Sequence, residues 1–159
     1  MKLCLVLLIF SLPSFLSAQK SKKNTAYVQL WGNGLIVSAN YERQFTNKPG
    51  LNAQIGVGLG NYKPTVPIGL NYLFNLKNQK SFIETGFSVV LAEKNLFYND
   101  FVFATPDPIL KEYSTGYVPS IGYRYHASKG FMLKIIYSPF FTKLKSNWAY
   151  YGIGMGWRF

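Results

Sequence analysis

Glu42, Glu84, Arg124, Lys134 and Arg158 are scattered along the chain, yet each stands on the face of its segment opposite the mainly apolar one, a face that is small or polar over most of the chain. Two carboxylates and three cations gathered at one level would build a hydrogen-bonded charge network, because a buried charge is costly unless it is paired. Such a network can plug a lumen and fix strand register, or it can form a gated or proton-conducting path; the plug is the expectation. Other chemistry has thinner support. His126, the one histidine, stands in a predicted turn with Ser128, where nucleophilic catalysis would need an acidic partner as well. Gly56, Gly58 and Gly60 superficially suggest a phosphate loop, but no helix pattern follows and they fall on alternate positions of a strand, which points to close packing. One histidine, with Cys4 as the only cysteine, cannot supply a zinc site, so no metal and no cofactor is expected.

Strands must position these groups. Eight segments alternate, at about 25–32, 35–45, 51–60, 65–74, 81–91, 115–125, 131–139 and 149–159. Good breakers separate them, among them a tight Asn33-Gly34 hairpin, Asn47-Lys48-Pro49-Gly50, Tyr62-Lys63-Pro64, and the stretches 75–80 and 126–130. Ten residues rising about 3.4 Å each at a tilt of roughly 45° climb about 24 Å, close to the roughly 25 Å apolar band of a membrane barrel. The expected fold is all-β, an eight-stranded antiparallel up-and-down transmembrane barrel. Ahead of it, residues 1–18 carry Lys2, an apolar run from Leu3 to Phe10 and the small pair Ser17-Ala18, the layout of a cleaved secretory signal. Residues 19–159 then form one barrel domain without a cysteine.

One face of each strand is apolar, as in Leu51, Ala53, Ile55, Val57 and Leu59; the other is small or polar, as in Asn52, Gln54, Gly56, Gly58 and Gly60. Periodicity alone allows a soluble lipocalin-like barrel with an apolar cavity. The polar face decides against it. A soluble surface is about a quarter to a third charged, whereas this face is mainly glycine with a handful of ionisable groups. It suits the narrow interior of eight strands, which side chains fill, and so the apolar face is assigned to lipid.

An even strand count puts both termini at one end. Lys20, Lys22, Lys23, Arg43, Lys48, Lys77, Lys80, Arg124, Lys129, Lys134 and Arg158 gather there or in the adjoining half of the lumen, facing only Glu42 and Glu84. Anionic phospholipid head groups or cell-wall polymer are plausible counter-charges, and nucleic acid is not needed to explain the pI of about 9.7. At the other end, loop 93–114 is dense in apolar residues (Leu96, Phe97, Tyr98, Phe101, Val102, Phe103) and could fold over the barrel mouth or meet a surface partner. Tyr27, Tyr125, Trp148 and Trp157, near strand ends, read as aromatics of the membrane interface.

The last nine residues complete the pattern: Tyr151, Ile153, Met155, Trp157 and Phe159 on one face, Gly152, Gly154, Gly156 and Arg158 on the other. Together with Asn33-Gly34-Leu35-Ile36-Val37-Ser38-Ala39-Asn40-Tyr41-Glu42-Arg43, Pro67-Ile68-Gly69-Leu70-Asn71-Tyr72 and Gly122-Tyr123-Arg124-Tyr125, this strand resembles those of small Gram-negative outer-membrane barrels, similar in size to the OmpA and OmpX types. The likeness spans residues 19–159 and is specific for architecture. It implies the bacterial outer membrane, termini on the periplasmic side, and recognition of Tyr151 to Phe159 by the barrel-assembly machinery. Outer-membrane lipid A deacylases and acyltransferases are also similar in size, but their catalytic groups face the outer leaflet, whereas His126 is assigned to the periplasmic rim. The expectation is a non-enzymatic, monomeric outer-membrane protein, structural or surface-interacting. A narrow solute channel and a lipid-modifying enzyme are the alternatives.

Overall fold

The computed structural model describes residues 22–60, 63–76, 78–93, 113–142 and 146–159. The signal segment 1–18, Lys20, Lys77 and most of loop 93–114 lie outside them.

Alternation acts as the sequence leads one to expect, and so do the breakers, except that Lys63 and Pro64 lie within a paired strand instead of separating two. The strands are β1 (Asn24–Trp31), β2 (Val37–Gln44), β3 (Leu51–Gly60), β4 (Lys63–Asn75), β5 (Ser81–Glu93), β6 (Tyr113–His126), β7 (Phe131–Tyr137), β8 (Phe140–Phe141), β9 (Ser146–Asn147) and β10 (Tyr151–Arg158). From β1 to β7 each strand pairs antiparallel with the next, β7 pairs with β10, and β10 returns to β1. The staves are therefore β1 to β7 and β10, a closed antiparallel barrel of eight. Closure is secured at the chain end: Asn24 N–H donates to Phe159 O at 3.0 Å and Phe159 N–H to Asn24 O at 2.9 Å. With no edge among the staves, their backbone polar groups find partners within the ring, which is what a strand needs where water is absent.

The faces divide as expected. Val57, Ile55, Leu59, Leu70, Phe87, Ile121, Ile135 and Met155 point outward and are exposed, while Ser38, Asn40, Glu42, Asn52, Gln54, Asn71, Glu84 and Ser88 are buried in the lumen. Here the usual order is reversed: the exterior is apolar, the interior largely polar.

Two local departures bear on the site. The Asn33-Gly34 hairpin is not a simple tight turn. Gly32–Gly34 form a single 3₁₀ turn that is buried. Trp31, Gly32 and Leu35 take positive φ (55°, 82° and 71°), and for the two non-glycine residues this costs about 1–3 kcal/mol each. The turn is held inside by its own polar groups, since Asn33 Nδ2 donates to Ser88 Oγ at 2.8 Å and Thr65 Oγ1 to Gly34 O at 3.1 Å. The second departure is at 131–139, where β7 stops at Tyr137. Pro139 cannot donate to a ladder, and the chain continues instead into the short β8–β9 ribbon, which pairs with β6 through Tyr117 and Phe141. Phe140 thereby packs over Gly116 and joins Val90, Ala92, Val118 and Leu35 in an apolar cluster at the end remote from the termini.

Candidate functional site in the lumen

Period-two alternation puts Glu42 (β2), Glu84 (β5), Arg124 (β6) and Lys134 (β7) on inward faces, all essentially inaccessible to solvent. Around the ring β2 lies four strands from β6, directly across the barrel. Arg124 spans that diameter. Its Nη1 and Nη2 donate to Glu42 Oε1 and Oε2 at 2.5 and 2.8 Å, and its Nε donates to Glu84 Oε2 at 2.7 Å. Planar guanidinium geometry allows this fork to one carboxylate while a third donor serves the other.

Lys134 is the direct cross-strand neighbour of Arg124, a like-charge pairing that is unfavourable by itself. Glu84 resolves it. It stands opposite Gly122, and it also accepts from Lys134 Nζ at 3.4 Å. Two carboxylates and two cations thus balance within one buried cluster. Gly154, opposite Lys134, makes space for that side chain: a Cβ there would sit 3.1 Å from Lys134 Cγ.

Uncharged groups extend the network. Asn71 Nδ2 donates to Glu42 Oε2 at 3.0 Å and to Gln54 Oε1 at 3.3 Å. Lys134 Nζ donates to Tyr27 Oη at 3.1 Å and lies 4.4 Å from the centre of its ring, and Tyr27 Oη donates to Gln54 Oε1 at 3.0 Å. Gln54 Nε2 reaches Ser88 Oγ at 3.2 Å, where Asn33 of the inward turn also donates. A continuous chain of polar contacts therefore runs from the charge cluster to that turn. Phe82 and Met132 are buried below the cluster, and the Val90, Val118 and Phe140 group lies above it.

Of the five charged residues read as a network, Glu42, Glu84, Arg124 and Lys134 come together. Arg158 does not join their hydrogen bonds: it lies at the rim, half-buried, and its Nη2 donates to Lys22 O at 2.8 Å. Its parity is right, but it is the last residue of β10, four residues past the Gly154 that faces Lys134. Tyr27 was expected at the membrane interface and is instead a buried member of the network. Its alternation with Thr25 and Gln29, both buried, is the signal that places it inside. Trp148 and Trp157 are exposed near strand ends, as their interface reading expects. Asn33, read only as a turn residue, is the other member missed.

His126 is buried at the terminal end, with its ring centroid 4.7 Å from that of Phe82. Neither ring nitrogen has a partner among the described residues, so no bond joins it to Ser128. The five residues read as an assembly signal, Tyr151, Ile153, Met155, Trp157 and Phe159, are all exposed on the outside of the barrel.

No family model matches the chain, and no curated protein matches it. Among solved structures it is similar to the crystal structure of the N-terminal β-barrel domain of Pseudomonas aeruginosa OprF, with a TM-score of 0.60 over 89% of this chain and 100% of that one. At 12% identity the likeness is one of fold. The resemblance to OmpA-type outer-membrane barrels read from the sequence thus holds at the level of architecture.

Proposed function

We propose that this protein is an integral outer-membrane barrel of Gram-negative bacteria, non-enzymatic and monomeric, with a structural or surface-interacting role and a sealed lumen. The observation that carries this reading is the Arg124 bridge to Glu42 across the full diameter, extended by Gln54, Ser88 and Asn33 toward the opposite mouth. The exposed apolar exterior and the fold likeness to an outer-membrane domain support residence in lipid. In this reading the end bearing Asn24 and Phe159 faces the periplasm, and the outward face from Tyr151 to Phe159 is the segment the barrel-assembly machinery recognises. Loop 93–114 is the part of the chain available to a partner at the cell surface.

Planar-bilayer recording of the purified protein tests the seal. The expected result is no stable step of porin size, in the wild type or after Glu42→Ala, because the apolar tiers above and below the cluster remain. A stable, wide pore in the wild type would refute the sealed lumen.

A further inference from the structure

We propose that the barrel end carrying Asn24 and Phe159 is a collar for anionic phospholipid, in which Lys22, Lys23, Arg43, Lys48, Lys80 and Lys129 engage the phosphodiester head groups of the surrounding leaflet. The proposal rests on the membrane-barrel reading and extends it to the class of lipid bound.

The argument begins with the carboxylates. The acidic residues of the chain are Glu42, Glu84, Glu93, Asp100, Asp107 and Glu112. Glu93 closes β5 at the end away from the termini, and the last three follow it in sequence, between β5 and β6 and outside the described residues. Glu42 and Glu84 belong to the terminal half, but they point inward and are matched by Arg124 and Lys134. Among the described residues no further acidic side chain offsets the cations of this rim.

Their distribution matters as much as their number. Lys22 and Lys23 lead into β1, Lys48 lies between β2 and β3, Lys80 between β4 and β5, and Lys129 between β6 and β7. Every connection at this end therefore contributes a cation, so the charge forms a ring around the barrel. Arg43 is exposed on the outward face of β2, directly after Tyr41 on that face. Tyr41, Tyr72, Phe74, Phe131 and Trp157 are exposed just inside the same rim. Aromatic side chains of this kind settle at the boundary between hydrocarbon and head groups, which puts the cations at the height of the phosphates. A polymer beyond the membrane would meet the same charge but would not explain why it begins at the aromatic belt. Lys22 has a structural task too, donating to Lys129 O at 2.8 Å, and so it is left out of the variant below.

The tryptophans allow the two ends to be read separately, since Trp157 lies at the collar and Trp31 and Trp148 at the opposite mouth. The barrel is folded into phosphatidylcholine vesicles containing either brominated phosphatidylglycerol or brominated phosphatidylcholine. A Trp31→Phe/Trp148→Phe variant reports the collar, and Trp157→Phe reports the other mouth. We expect phosphatidylglycerol to be preferred at Trp157 by about fivefold for each cation that a head group meets. The preference should be absent at the other mouth and should vanish at high salt and in Arg43→Gln/Lys48→Gln/Lys80→Gln/Lys129→Gln. Equal quenching of Trp157 by both lipids overturns the collar but leaves the membrane barrel standing, whereas no quenching by either overturns both. A preference that survives the fourfold substitution, or that soluble anionic cell-wall polymer abolishes at matched ionic strength, also overturns it.

Discussion

Arg124 and Lys134 stand side by side across the β6–β7 ladder, and Glu84 is the group that makes this tolerable. Removing one member of a buried ion pair costs about 3–5 kcal/mol, because the partner charge is left without compensation, whereas replacing both by neutral groups can be nearly free. Glu84→Gln and Lys134→Met are each expected to destabilise the barrel by about that amount. The double variant should be clearly more stable than the sum of the singles predicts, since it leaves the Arg124–Glu42 pair balanced. Urea unfolding of the folded protein in vesicles measures the cycle, and additivity within about 0.5 kcal/mol would contradict the coupling. Glu42, Glu84 and Arg124 were legible in the sequence because a charge on a largely small or polar face has one sensible destination, whereas Lys134, between Met132 and Ile136, was legible as the single charge of its strand. Tyr27 was not legible from its type, since tyrosine suits both the interface and a polar interior; only its parity with Thr25 and Gln29 separates the two. Arg158 fails for a related reason: alternation gives the side of the sheet but says little about height along the barrel.

The strand bodies follow from period-two alternation, and their registers from the turns that join them. What sequence does not reveal is the path of a connection that makes tertiary hydrogen bonds. Asn33-Gly34 looks like a short hairpin, yet burial of Asn33 against Ser88 and of the Gly34 carbonyl against Thr65 turns it into part of the lumen. The glycine pattern is better determined, and the structure grades its members. At Gly122 a methyl group would meet Ile135 O and Ile136 Cα, which are backbone atoms of the paired strand, and so the ladder itself must shift. At Gly154 it would meet the side chain of Lys134, with Cγ at 3.1 Å and Cε at 3.3 Å, and a flexible chain can move aside. Gly122→Ala is therefore expected to cost about 1–3 kcal/mol, and Gly154→Ala less than about 1 kcal/mol. Thermal unfolding of the two variants checks the order; equal losses would show that strand separation, not side-chain room, sets the tolerance.

At the scale of the whole molecule the barrel is inside-out relative to a water-soluble protein, and this inversion was the most legible feature of the sequence. A face made of glycine and amide residues with few charges cannot be a soluble surface, so the apolar face had to be the outer one. The opposite assignment would have put these charges on the exterior, with Glu42 on β2 out of reach of Arg124 on β6 across the ring. Val57 provides the direct test, being 66% exposed near the middle of β3 between Ile55 and Leu59 on the outward face. If that face meets hydrocarbon, Val57→Lys places a cation near the bilayer midplane, at a cost of about 2–4 kcal/mol. If it met water, the same exchange would fall within about 0.5 kcal/mol of neutral, as most surface substitutions do. Moving the lysine toward the end of the strand, as in Leu51→Lys, should reduce the cost to about 0–1 kcal/mol, because the penalty fades at the interface. Unfolding titrations of the two variants in vesicles give both numbers, and a lysine at position 57 no more costly than one at position 51 would remove the membrane from the account of this fold.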